Sequence, residues 1–244
     1  MNGQNLSKEF LYQGFALIVA VILVHAFYVS IVRPEATSII QEQQAMIEQD
    51  INYIPERSFY VIVRDFEQES CFILMFWAFA IMTLKARSSI SERKLLQEDL
   101  VPVREGQSIR PNEINDFLRQ LENLPDSKKD LLLPRILMNG LKRFATTKNV
   151  QDVSTTTHTM VESEADRLES ELSMIRYIAW AIPSMGFIGT VKGISAALSI
   201  AHRAVDGDIS GVTQNLGVAF NSTFIALLVS VGIMFLVHQL QLLQ

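Results

Sequence analysis

A single cysteine, Cys71, stands among the 244 residues, which excludes an internal disulfide and a cysteine metal cluster. It reads as a small membrane hydrophobe. No P-loop, HExxH or GxSxG pattern occurs, and the four histidines, His25, His158, His202 and His238, are scattered. The chain therefore reads as no enzyme, with no metal site and no cofactor. Twenty-one lysines and arginines face 26 aspartates and glutamates, a net charge of -5, so no basic footprint for nucleic acid exists. Asn221-Ser-Thr223 matches a glycosylation acceptor only formally, because it lies inside an apolar run.

Apolar residues are what the sequence has in quantity: 49% of the chain, with a mean hydropathy of +0.22. That balance fits an all-α polytopic membrane protein with a modest soluble part. Four spans are expected. Leu11 to Val32 is long enough to cross and has no A-x-A-like cleavage site after it, so it stays as an anchor. Cys71 to Leu84 is shorter, about 14 residues against the ~20 usually needed, and tilt or apolar neighbours must supply the rest. Ile178 to Ala201 and Val212 to Val237, separated by a short polar break, form a membrane hairpin. The expected organisation is a first segment and span over 1–32, an extracytoplasmic amphipathic segment over 33–69 and a second span over 70–86. A cytoplasmic helical domain over 87–176 and the helix pair over 177–241 follow.

Between the spans, Arg33-Pro34-Glu35 is expected to end the first helix and Pro34 to begin another, amphipathic one that Pro55 closes. Lys85, Arg87, Arg93 and Lys94 follow the second span, whereas acids dominate 33–69. Basic enrichment marks the cytoplasmic side, which puts both termini inside and the hairpin turn, with Asp206 and Asp208, outside. In the cytoplasmic region Arg87 to Leu100 reads as a charged helix. Asn112 reads as the cap of a helix with Ile114, Phe117, Leu118, Leu121 and Leu124 on one face. Val150, Val153, Thr157, Val161, Ala165, Leu168, Leu172 and Ile175 then recur at threes and fours and run straight into the third span. That stripe reads as core, with the neighbouring acids solvated or paired along the surface. The ending HQLQLLQ carries no Gly, Pro or charged cap, so a continuing cytoplasmic helical tail is an expectation.

The polar and small residues of the hairpin carry the functional signal. Gly186, Gly189, Gly193 and Ala197 strip one face of bulk, and Gly189 and Gly193 form a GxxxG for close helix packing. Thr190, Asn215, Asn221, Ser222 and Thr223 place hydroxyls and amides where lipid forbids them, which suggests a hydrated or partner-facing seam. Pro183 removes the bond to the carbonyl of Ala179 and makes either a static kink or a flex point. Lys192 and His25 are intramembrane charge sites. Lys192 either snorkels to the interface or pairs with a carboxylate on a partner or neighbouring subunit. His25 is either a proton relay or a neutral histidine bonded to a neighbouring helix. None of the four proposed spans holds Asp or Glu, so a carboxylate relay requires an acid from elsewhere.

Pro183-Ser-Met-Gly-Phe-Ile-Gly-Thr-Val-Lys-Gly193, with Asn221-Ser-Thr223-Phe about thirty residues on and another apolar run, resembles the paired-helix signature of the MotA/TolQ/ExbB proton-channel family. The resemblance covers Leu168 to Val237 closely and the rest by topology. It implies a ring-forming subunit, a pentamer, in the bacterial inner membrane, around a dimer of a single-span MotB/TolR/ExbD-like partner whose membrane aspartate carries H+ or Na+. Thr190, Thr223 and Ser222 would line the ion path, and ion flow would drive movement. TolQ and ExbB carry a glutamate in the last helix where this chain has Val218, and MotA has a second proline that is missing here. The four-span layout is more similar to MotA, and the branch stays open. Besides these partners, only membrane lipids are expected. The competing reading is a non-conducting membrane scaffold whose cytoplasmic helices recruit another factor.

Overall fold

The computed structural model describes residues 3–49, 53, 56–103, 109, 110, 113–205 and 209–243, whose regular structure is helical with no strand among them. In order they are α1 (Gly3–Phe27), a π-helical segment (Tyr28–Val32), α2 (Arg33–Gln49), α3 (Phe59–Val63), α4 (Phe66–Leu95), α5 (Ile114–Glu122), α6 (Asp126–Lys129), α7 (Leu132–Thr147), α8 (Val150–Ser199), α9 (Ala201–Val205) and α10 (Ser210–Leu243). Four of the described helical stretches are long and apolar enough to cross a membrane. Their large outward side chains, among them Phe15, Leu23, Trp180, Phe187, Leu198, Phe220, Leu228 and Val231, are more than half exposed, a surface suited to lipid rather than water. The protein is an all-α, multi-pass membrane protein.

Asn112, Pro55, Asp206 and Asp208 lie outside the described residues. The first helix differs from expectation. It does not stop at Arg33: α1 passes through the five-residue π segment into α2, giving one uninterrupted helical stretch from Phe10 to Gln49. A π-turn changes the hydrogen-bond register, so the missing N–H of Pro34 falls where the ladder is already rearranged.

The chain divides into two compact units, Met1–Thr83 with Met174–Gln241, and Leu84–Ser173 with Leu242–Gln244. In the first, Val24, Tyr28, Val32, Val63 and Ile225 form a buried cluster. It ties α1, the π segment, α3 and α10 together, and Phe72 and Ile73 of α4 pack against it. Trp77 donates its indole N–H to the Gln13 carbonyl (2.9 Å), which fixes α4 on α1. Cys71 is buried with its thiol 3.8 Å from the Ile182 carbonyl, a small side chain that lets α4 approach α8.

In the second unit α5 buries Ile114 and Leu121, the apolar face expected from its spacing. Both carboxylate oxygens of Glu92 accept the Leu132 N–H at 3.0 Å, so α4 caps the first turn of α7. Lys148 takes a left-handed conformation (φ 51°) between α7 and α8, and the Asn149 side chain accepts the Gln151 N–H at 2.9 Å to open α8. Of the acids expected to be solvated or paired, Glu164 is buried and bound by Arg167. Lys85 binds Glu171 at 2.7 Å.

Pro183 sits inside α8 without ending it. The Ala179 carbonyl that loses its in-helix donor takes the Ser230 hydroxyl of α10 instead, at 3.3 Å. Ser230→Ala should therefore destabilise the chain by about 1 kcal/mol. In a Pro183→Ala background, where the helix supplies its own donor, the same change should cost close to nothing. Thermal melting of the four proteins in detergent measures that coupling.

Candidate functional site

α8 and α10 meet along a seam without bulk. A Cβ at Gly193 would stand 2.9 Å from the Ala219 backbone, and one at Gly189 would stand 2.5 Å from Ser222 Cβ and 2.7 Å from its Oγ. At Gly186 it would run into Ala226 Cβ. Such distances leave no room for any side chain, so the three glycines set the spacing of the two backbones.

That spacing brings the threonines together. Thr190 Oγ1 and Thr223 Oγ1 share a hydrogen bond across the seam. Thr190 Oγ1 also lies 3.2 Å from the Gly186 carbonyl and 3.1 Å from that of Ala219. Thr223 Oγ1 lies 3.2 Å from the same Gly186 carbonyl. With one proton on each hydroxyl and two carbonyls in reach, the pair can reverse its donor direction without breaking the seam. Both side chains are half-buried, so each holds the helices together and still presents an edge.

Ser222, one residue from Thr223, is buried and donates to the Val218 carbonyl at 3.0 Å. It accepts from Gln68 Nε2 of α4 at 3.2 Å. Gln68 is fully buried, and the same amide reaches the Ile62 carbonyl at 3.1 Å. Its carbonyl oxygen has no hydrogen-bond partner among the described residues.

The acids sit on either side of Gln68. α4 begins at Phe66, so Glu67 and Glu69 stand in its first turn, where the helix dipole favours negative charge. They are 4% and 2% exposed. Glu69 receives His25 Nδ1 at 2.7 Å on one oxygen and Arg33 Nη2 at 2.6 Å on the other. Glu67 receives Lys192 Nζ at 2.8 Å. Two expectations change. The chain does bury carboxylates in its helix bundle, and Lys192 finds its acid within its own chain rather than only at the interface. His25 is bonded to the neighbouring helix. By sequence the acids of α4 read as part of the preceding segment, because the apolar run starts only at Cys71. The missed signal is the pattern of acids one turn ahead of an apolar run, which marks a helix start.

The structure thus gathers Thr190, Thr223, Ser222, Gly186, Gly189 and Gly193 into one seam. It places Lys192 and His25 on the two flanking acids, and Pro183 lies just before Gly186 in α8. Among the described residues no group of three or more His, Cys, Asp or Glu could hold a metal ion. The model of the MotA/TolQ/ExbB proton channel family matches residues 128–243. Over this segment the chain is similar to that family. The matched part of the MotA/TolQ/ExbB family contains both helices of the seam and every hydroxyl in it. Comparison with curated proteins and with solved structures gives no match.

If the glycines set the helix spacing, Gly193→Leu should lower stability by roughly 2 kcal/mol or more through overpacking. Gly232→Ala, on the same helix as Thr223 but with nothing within 4 Å of the added carbon, should be neutral or slightly stabilising. Melting temperatures of the two variants in detergent test this.

Proposed function

We propose that the chain is the ring-forming subunit of an ion-driven motor in the bacterial inner membrane. Protons or sodium ions pass along the interface between the α8–α10 seam and a single-span partner that supplies a membrane aspartate. Ion flow is converted into relative movement of ring and partner. The observation that carries this reading is the Thr190–Thr223 hydroxyl pair, held at a glycine seam inside the segment that matches the proton channel family. A hydroxyl pair that can exchange donor and acceptor roles is suited to meeting an acid in either protonation state. Thr190 and Thr223 present the pair, Ser222 anchors it to α4, and Pro183 marks the boundary at which α8 can flex. Lys and Arg enrichment after the second span supports cytoplasmic termini, with the short α9–α10 connection outside.

Native mass spectrometry of the detergent-solubilised protein, co-expressed with a single-span partner encoded beside it, tests the assembly. The expected species holds about five copies of this chain and about two of the partner. A monomer or dimer without partner overturns the motor reading and favours the scaffold. In proteoliposomes of the complex, Thr190→Val or Thr223→Val should cut ion flux by about tenfold or more with assembly intact, while Thr190→Ser keeps it. Unchanged flux in both valine variants removes the threonines from the path.

A further inference from the structure

Glu67 and Lys192 differ in their surroundings although they touch. The carboxylate is 5% exposed and the lysine side chain 66%, so the acid is sealed into the bundle while its cation stands at the rim. Glu67 Cγ lies 3.1 Å from the position a Cβ on Gly189 would occupy, and Ser222 Oγ lies 2.7 Å from the same point. An acid and a serine hydroxyl therefore converge on the residue that precedes Thr190. Among the described residues, Lys192 of α8 bonds Glu67, Ser222 of α10 lies beside the same Gly189, and Cys71 stands one turn along α4. Lys192 is the cation bonded to it.

Glu69 is held differently. It takes two donors from one continuous helical stretch, His25 and Arg33, so that both carboxylate oxygens are occupied. Lysine is a mobile point charge on a four-carbon stem. A buried carboxylate that loses such a partner cannot stay ionised without another positive charge.

We propose that Glu67 and Lys192 form an exchangeable charge pair at the edge of the threonine seam, with Glu67 the acid that this chain itself contributes to ion handling. With Lys192 on Glu67, the pair is neutral. When an anionic carboxylate of the partner draws Lys192 away, Glu67 takes one proton from the ion path and becomes a neutral acid. When Lys192 returns, that proton passes from Glu67 to the partner's carboxylate, which becomes the neutral acid. Charge balances in both states. The step deepens the motor reading and rests on it.

The test reads Glu67 directly, whether or not the chain conducts. Dicyclohexylcarbodiimide adds to carboxyls that carry a proton in apolar surroundings. The full chain in native membranes is treated with it, and adducts are located by peptide mass spectrometry, with Glu69 as the internal comparison. Slow modification of Glu67 is expected in the native chain, near-native rates in Lys192→Arg, and a rate about tenfold higher in Lys192→Met. Glu67→Gln in either background should abolish the adduct. A Glu67 that stays unmodified in the native chain is a locked structural pair, and equal rates in all backgrounds mean that Lys192 does not control it. Either result overturns the exchange and leaves the motor reading standing. A failed ring assembly with the labelling pattern intact would overturn the motor reading, and the exchange with the partner with it, leaving only the control of Glu67 by Lys192 within this chain.

Discussion

The close approach of α8 and α10 is the constraint on which the rest of the membrane unit depends. Three glycines opposite Ala219, Ser222 and Ala226 bring the backbones within reach of side chains only one bond long. In lipid no hydrophobic force drives two helices together, so contact must come from close packing and polar bonds. Here the two arise from the same residues. The glycines permit the approach, and the approach lets Thr190 and Thr223 bond across it and to the carbonyls of Gly186 and Ala219.

A second layer grows from that seam. Ser222 can bond Gln68 only because α4 enters the bundle with its first turn buried, and that turn carries two acids. Each has a cation from a different helix, Arg33 from the first stretch with His25 beside it, and Lys192 from α8. Helix dipole, ion pairs and amide bonds therefore converge on residues 67–69. Far along α8, the Ser230 hydroxyl repairs the carbonyl that Pro183 leaves open. Polar groups thus recur wherever the helices must hold one register.

Much of this was legible in the residue pattern. Four apolar helices, the hairpin of glycines and hydroxyls, and the apolar face of α5 follow from period and length alone. The first turn of α4 was not, because a window that looks for apolar residues discards Glu67 and Glu69 as loop. Only their cations, 36 to 125 residues away in sequence, make them acceptable inside. The continuity of α1 and α2 through Pro34 escaped for a related reason. A proline is ordinarily a boundary, and the π segment that absorbs it has no composition of its own. The Ser230–Ala179 bond, 51 residues apart, could be foreseen as a need but not as a partner.

The separation of these partners along the chain bears on how the protein is made. His25 and Arg33 are synthesised before Glu69, so that acid meets its two hydrogen-bond partners as soon as α4 emerges. Glu67 must wait for Lys192, 125 residues later. Until α8 arrives, α4 presents the insertion machinery with a short apolar run and one uncompensated charge at its lip. The nascent helix is thus only provisionally seated, and the arrival of α8 is the event that commits it to the bilayer.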